Sequence, residues 1–338
     1  MQNIFDTYGW DMISYDTIHQ GLINSTYTVN TAQGAFIVQS INHNVFKNPW
    51  AIDKNINAIG SFLKKSSPDY LYTHLVPTKD HQTLIEWNDG FYRAFHKIDG
   101  YALSVLDNAH QVEEAATQFA QFTFILKDFE ANTLLDTLPN FHNLSLRYQQ
   151  FIEALQQGDS TRISASKDAI EFLKAHKHYV DRYDHFIQHA DVKKRVTHHD
   201  TKISNVLFQK QNLLEKAICV IDLDTTMSGY FISDVGDMCR TCLCAVSEEE
   251  KDLNKITVDA TRWEGLKKGY LSYMKDELSH FEMDHFSYSG QFMIYMQALR
   301  FLTDHLNMDK YYGAKYEGQN LVRTLNQIRL LESFNEMI

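Results

Sequence analysis

VTHHDTKISNVLF, residues 196–208, sets two histidines, an aspartate, a lysine and an asparagine between apolar ends. Such a cluster either holds a metal or runs a reaction, and the choice decides what must surround it. Zinc fits poorly. His198 and His199 are adjacent, so in an extended segment they point to opposite faces and do not readily share one ion. CRTCLC at residues 239–244 has one C-x-x-C and no second pair downstream, short of the four ligands of a structural zinc site. The oxygen-bearing residues make a better set. Asn205 follows Asp200 by five positions, and the apolar run AICVIDLD, residues 217–224, ends in Asp222 and Asp224. Two carboxylates and an amide oxygen suit Mg²⁺, which takes one or two protein carboxylates and completes its shell with phosphate oxygens and water. Phosphoryl transfer needs such a set: a carboxylate facing the attacking hydroxyl, and an Asn and an Asp on the metal. Lys202, two residues after the first aspartate, places an ammonium where it can reach the transferring phosphoryl oxygens.

Outward from the motif, the chain predicts a short strand-rich island with strands over 195–198, 205–209 and 217–224, the motif lying in a loop between them. Upstream, the first hundred residues alternate apolar and polar. They predict strands over 15–20, 24–31, 35–41, 73–77, 83–87 and 91–98, with TAQGA and WNDGF as hairpin turns, the Asp-Gly pair of the second favouring type I′. One helix interrupts them over 50–65, carrying Ile52, Ile56, Ile59 and Leu63 along one face. After KIDGY the period becomes helical, with Val112, Ala116, Phe119, Phe122 and Leu126 on one stripe and Ile170, Leu173, Val180, Tyr183 and Ile187 on another. Helices are predicted again over 233–245, 259–278, 284–305 and 318–337. The fold class is therefore α+β and bilobal: a small antiparallel sheet with one helix over residues 1–98, then a large, mostly helical lobe over 99–338. A site is expected in the cleft between them.

Bulk properties narrow the partners. The chain of 338 residues carries 32 basic and 43 acidic side chains, a net charge of −11 that repels polyanions, and it has no basic run to override it. Nucleic acid and membrane surfaces are not expected partners; small molecules are. The opening MQNIFDTYGWDM lacks the basic flank and apolar stretch of a secretion signal, no segment reaches the ~18 apolar residues of a membrane span, and the four cysteines cluster between Cys219 and Cys244. A cytoplasmic protein without disulfides is the expectation.

The pattern H-x-D-x-K-x-x-N at residues 198–205, with VIDLDTTMSG and SDVGDMCR after it, resembles the catalytic centre of the protein-kinase-like superfamily. Taken with GLINSTYTVN and FIVQSIN upstream, the chain resembles the aminoglycoside phosphotransferase and choline kinase group. ALRFLTDHL and KYEGQNLVRT near the end make it most similar to the bacterial N-acetylhexosamine 1-kinases. The resemblance implies a protein-kinase-like fold, ATP and Mg²⁺ as cofactors, a nucleotide and a small-molecule sugar acceptor as partners, and transfer of the γ-phosphoryl group to the anomeric hydroxyl. It implies Asp200 as catalytic base, Lys202 as phosphate contact, and Asn205 and Asp222 as metal ligands. His198 resembles the structural histidine before the base, and His199 is expected to face the cleft. Asp224 is expected on the same side of the strand as Asp222, bracing the metal or the acceptor, or else as a solvated strand end. HQGLINSTY lies where a phosphate-covering turn belongs, with Gly21, Asn24 and Ser25 as its contacts, and the adenine is expected against Phe95 to Ile98. Gln39 stands where many kinases carry a lysine, and the helix over 50–65 offers no glutamate to pair with one.

The acceptor is expected in the second lobe. Cationic acceptors call for aromatic cages or acidic linings. Residues 297–329 instead carry five basic side chains against three acidic ones. Arg300, Arg240, Tyr311, Tyr312 and Tyr316 are the candidate acceptor contacts, with an ion pair to Asp234 or Asp237 as the other reading of Arg240. Two alternatives stay open at this point: a kinase for an amino alcohol or aminoglycoside, and a nucleotide-binding pseudokinase, for which Gln39 is the best argument.

Overall fold

The computed structural model describes residues 1–18, 23–212 and 214–338. A short helix α1 (Gln2–Tyr8) leads into strands β1 (Met12–Ile18), β2 (Ser25–Thr31) and β3 (Gly34–Ile41), helix α2 (Pro49–Ser66), and strands β4 (Ile85–Trp87) and β5 (Gly90–His96). The five strands form one antiparallel sheet in the order β1-β2-β3-β5-β4. Asn48 caps α2 through the Ala51 amide, and Pro49 occupies the first turn, where its missing N–H costs nothing. The face read from the sequence is the buried one: Ile52, Ile56, Ile59 and Leu63 are each at most 1% exposed.

Three local expectations needed correction. The 73–77 segment forms only a single bridge, Leu75 to Phe95, before Pro77 ends any ladder by lacking a donor. The type I′ turn after β4 is made by Asn88 and Asp89, both at positive φ (46° and 59°), while Gly90 already pairs with Trp87. Helix α1 was not expected, because seven residues are too few for a period to show. Its Ile4, Phe5 and Tyr8 close a small second core with Val29, Phe36 and Val38, and Trp10 stacks between Tyr8 and Phe36 at 4.3 and 4.1 Å.

Beyond β5 come β6 (Tyr101–Ala102), α3 (Ala109–Ile125), α4 (Leu144–Gln157), α5 (Ser160–Ala165), α6 (Lys167–Ala175) and α7 (His178–Gln188). The apolar stripe over 170–187 is thus divided between two helices, with His176 Nδ1 donating to the Phe172 carbonyl where α6 stops. The strand island follows as β7 (Arg195–Thr197), β8 (Val206–Gln211), β9 (Leu214–Val220) and β10 (Met227–Gly229). It forms two small sheets, β6-β8-β9 and β10-β7. The last elements are α8 (Phe231–Cys242), α9 (Ala260–Met274), α10 (His280–Asp284), α11 (Phe286–Leu306) and α12 (Gln319–Met337). Helix α11 is buried on nearly every side, as a helix must be that is packed by α4, α8 and α12 at once. Gly236 lets α8 approach it: a Cβ there would lie 2.4 Å from the Ser289 carbonyl oxygen.

The main core runs without a break from Ile41, Phe46 and α2 through Phe95 into these helices. One buried side chain reinforces that continuity. Asn55 on α2 donates to the carbonyls of Leu135 (2.8 Å) and Thr226 (3.0 Å) and accepts from the Leu135 amide (2.9 Å). The four cysteines are free, and among the described residues no helix is long and apolar enough to cross a membrane.

Candidate active site

The loop after β7 is held by its neighbours in a single shape. The Asp234 carboxylate, at the start of α8, accepts from the amides of His198 (2.9 Å) and His199 (2.8 Å), and the Asp234 carbonyl accepts from the Thr201 hydroxyl (2.7 Å). Burial pushes this carboxyl up to about 6 despite the two amides that favour its charged form. His198 bonds the Ile221 carbonyl through Nε2 at 3.0 Å and meets the Phe119 ring edge-on, so it ties the loop to β9 as a structural histidine should. His199 does not face the cleft. It is buried, sits at φ 65°, and its ring lies against Thr197 and His142; burial drives its pKa down to about 4, so it is neutral. Gly229 leaves the room for this ring, since a Cβ there would come within 2.2 Å of Thr197 Oγ1 and 2.4 Å of His199 Nε2.

Asp200 emerges from this frame with Oδ2 accepting from Lys202 Nζ (2.7 Å) and Asn205 Nδ2 (3.0 Å). Among the described residues nothing donates to Oδ1. Burial alone would raise the Asp200 pKa, but the Lys202 ammonium and the two hydrogen bonds outweigh it and hold it below the usual carboxylate range. The group is a carboxylate at neutral pH, with one oxygen fixed and the other available to a hydroxyl.

Because Asn205 turns its amide nitrogen to Asp200, its Oδ1 is left facing away with no donor among the described residues. Asp222 follows β9 at φ 59°, and it and Asn205 line the same cavity. The Asp222 carboxylate accepts no hydrogen bond among the described residues, and burial, with the charge of Asp224 next, raises its pKa to about 7. A desolvated carboxylate without a cationic contact, beside a free amide oxygen, fits a hard divalent cation. No three His, Cys, Asp or Glu side chains converge as a metal-holding group among the described residues, here or elsewhere. Mg²⁺ bound here would therefore draw most of its ligands from phosphate and water.

The cavity encloses about 410 Å³ between the five-stranded sheet and the loop. Its apolar lining includes Ile37, Phe95, Ile98, Ala102 and Leu207, and its polar lining Gln39, Arg93, Lys202, Asn205 and Asp222. Gln39, Phe95 and Ile98, the residues expected at the nucleotide, all line this one cavity. Asn24 does not line the cavity: its side chain donates to Asp224 Oδ2 (2.7 Å) and accepts from the Asn42 amide (3.0 Å), and Ser25 is exposed. Gly21 lies outside the described residues. Asp224 also departs from expectation. The chain leaves β9 and turns into a short 3₁₀ segment, Leu223–Thr225, so the alternation that would put Asp224 beside Asp222 is lost. Asp224 is 1% exposed and is paired with Arg93, a residue the sequence reading passed over. Arg93 sits on β5 directly across from Gln39 on β3, a register no local motif reveals.

The acceptor candidates divide. Arg240 is held by Asp237 (2.9 and 3.1 Å) and Glu248 (2.7 Å), and Arg323 also bonds Glu248, so Arg240 takes the ion-pair reading rather than offering a free guanidinium. Asp237 keeps one buried oxygen, Oδ2, unpartnered among the described residues, and lies close enough to feel the charge of Asp200. Arg300 has no acidic partner among the described residues. It bonds Gln297 (3.2 Å) and lies over the rings of Phe141 (5.3 Å), Tyr312 (5.4 Å) and Tyr311 (5.8 Å). Tyr312 accepts from Gln297 at its hydroxyl, Tyr311 is largely exposed, and Tyr316 packs instead under Lys251. His142 links the two groups, its ring 5.3 Å from that of His199 and its pKa pushed down first by burial, with the cationic Arg300, Arg147 and Arg240 adding to it.

Comparison with known proteins places the sequence in a family and the fold beside solved structures. The sequence model described as the phosphotransferase enzyme family (APH) matches residues 14–263. Among solved structures the fold is similar to a microcompartment-associated aminopropanol kinase (TM-score 0.65, 14% identity, 99% of this chain and 95% of that one). It is similar as well to a spectinomycin phosphotransferase in complex with ADP and spectinomycin (0.59, 10%, 100% and 97%). A choline kinase from Cryptosporidium parvum Iowa II matches at TM-score 0.56 and 13% identity over 96% of this chain and 90% of that one. At these identities the likeness is one of fold.

Proposed function

The chain belongs to the phosphotransferase enzyme family, and from that membership we propose that it transfers the γ-phosphoryl group of ATP to the anomeric hydroxyl of an N-acetylhexosamine. Residues 1–98 are then the nucleotide lobe and 99–338 the lobe of catalysis and acceptor binding. The adenine takes the apolar lining around Phe95 and Ile98, and the phosphates the polar lining around Gln39, Lys202 and Asp222. Asn205 Oδ1 and Asp222 would hold Mg²⁺, which when bound would supply positive charge to the phosphates. Asp200 orients the acceptor hydroxyl at its unoccupied Oδ1 and accepts the proton as the phosphoryl group departs. The anomeric hydroxyl is more acidic than an ordinary alcohol, so a carboxylate of low pKa suffices. Lys202 fixes Asp200 and reaches toward the transferring oxygens. ATP as donor and four free thiols suit a cytoplasmic location.

The observation that carries the choice of acceptor is the charge of the wall beyond Asp200. Its carboxylates, Asp237 and Glu248, are already matched by Arg240 and Arg323, while Arg300 adds a guanidinium with no acidic partner among the described residues, over aromatic rings. An ammonium-bearing acceptor would meet net positive charge there. A neutral sugar would find ring faces, a donor at Arg300 and an acceptor at Asp237 Oδ2. Phosphorus NMR of Mg-ATP with a panel of N-acetylhexosamines, amino alcohols and aminoglycosides tests this directly. A sugar 1-phosphate signal is expected; phosphorylation confined to the amines would replace the acceptor assignment. Asp200→Asn should lower kcat by ~10²–10⁴ with ADP binding kept, and full activity in that variant would remove Asp200 from its role.

A further inference from the structure

We propose that Arg93 is the cation that grips the phosphates of the donor nucleotide, supplying from β5 the positive charge that β3 lacks at Gln39. The inference rests on the nucleotide reading of the cavity. Gln39 and Arg93 are cross-strand partners, and both line the cavity alongside Lys202 and Asp222. The guanidinium is 1% exposed. Gln39 Oε1 accepts from both Nε (3.1 Å) and Nη2 (2.7 Å), and Asp224 accepts from Nη2. Those acceptors fix the plane of the group and leave Nη1 buried with no partner among the described residues.

The other buried arginines keep their terminal nitrogens paired; where one has a buried nitrogen without a partner, as Arg147 and Arg323 do, it is Nε. Arg195 donates to both oxygens of Glu282 and to two carbonyls, and Arg262 donates to the carbonyls of Leu106, Cys242 and Cys244. Among the described residues Arg93 is the one arginine with a buried, unpaired Nη. A desolvated N–H pair without an acceptor, on the wall of a cavity, calls for an anion with oxygens to offer, and the planar guanidinium fork matches phosphate. The same geometry explains the glutamine. A lysine at position 39 would set a second cation directly across from Arg93, whereas Gln39 turns an acceptor to it and orients the fork.

Titration calorimetry of adenosine, ADP and ATP, the nucleotides with Mg²⁺, separates a phosphate grip from a structural ion pair. Arg93→Gln should weaken ADP and ATP by about tenfold or more, the usual size of a lost charged hydrogen bond, and leave adenosine within about twofold. Arg93→Lys should keep part of the loss from appearing. The double variant Gln39→Lys/Arg93→Gln, which moves the charge back to β3, should recover most of the nucleotide affinity. Equal weakening of adenosine and ATP, unchanged ATP binding in Arg93→Gln, or no recovery in the double variant would overturn the proposal while the nucleotide reading stands. If the wild-type protein binds neither ADP nor ATP, the donor assignment itself falls, and this one with it.

Discussion

The raised pKa of Asp222 gives the metal site a pH signature. With its proton bound up to about pH 7, the carboxyl must be deprotonated before it can ligate Mg²⁺, so Mg-nucleotide binding should release a proton. For one group the apparent affinity is divided by 1 + 10^(pKa − pH), which is roughly 1.1 at pH 8 and roughly 11 at pH 6, so affinity should fall about tenfold between them. Half a proton should be released per complex near pH 7, readable as the dependence of the binding heat on the ionisation enthalpy of the buffer. The phosphate's own protonation is subtracted by titrating Mg²⁺ into free ADP. Asp224→Asn supplies the internal control. The charge of Asp224 is the second cause of the shift, after burial, so removing it should lower the Asp222 pKa and flatten the profile. The metal-free protein carries the mirror image. A carboxyl whose pKa is raised on folding stabilises fully below about pH 4 and loses that contribution as pH climbs through 7, by no more than ~4 kcal/mol. Mg-nucleotide should offset that loss. An affinity flat from pH 6 to 8, with no proton released, would refute the assignment of Asp222 as ligand.

Three further perturbations probe the frame around the site. Glu282, fully buried, caps α10 with Ser279 and receives both arms of Arg195 just before the catalytic loop; Glu282→Ala should cost ~3–5 kcal/mol in chemical denaturation, and a loss under 1 kcal/mol would show the pair to be dispensable. Gly229→Ala should push on His199 and reduce kcat at least tenfold while ADP affinity by calorimetry stays unchanged; normal turnover would mean that the loop tolerates displacement. Arg300→Glu sets a carboxylate among the rings of Phe141 and Tyr312 without breaking an existing ion pair, so melting temperature should hold within a few degrees while KM for the sugar rises about tenfold or more. A KM unchanged in that variant would take Arg300 out of the acceptor site.

What could be read in advance follows from how far apart the cooperating residues lie in the chain. Asp200, Lys202 and Asn205 lie within one loop, so their spacing alone brought them together, though not the bonds that Lys202 and Asn205 both make to Asp200, and the period of Ile52, Ile56, Ile59 and Leu63 showed the buried face of α2. Arg93 and Asp224 are 131 positions apart and meet through sheet register and a left-handed turn at Asp222, neither of which composition or period encodes. The same turn undid the alternation argument for Asp224. Asn24 was misread for a related reason: its side chain answers to Asp224, 200 residues downstream, rather than to the turn in which it sits. For Arg240 the sequence left an acceptor contact and an ion pair to Asp234 or Asp237 both open, because Glu248 and Arg323, which complete the pairing, come from segments with no shared motif.

The three hydrogen bonds of Asn55 settle which parts of the molecule can move together. In chain order α2 belongs with the strands, but by its buried polar bonds and its share of the main core it is fastened to the larger body. If the cleft closes over nucleotide, α2 is expected to stay with the larger body while the strands move, with residues 42–48 and 97–100, where the chain enters α2 and leaves the sheet, as the places to bend. A molecule wedged under the strands would then hold the cleft ajar, whereas one pressed against α2 would find a wall.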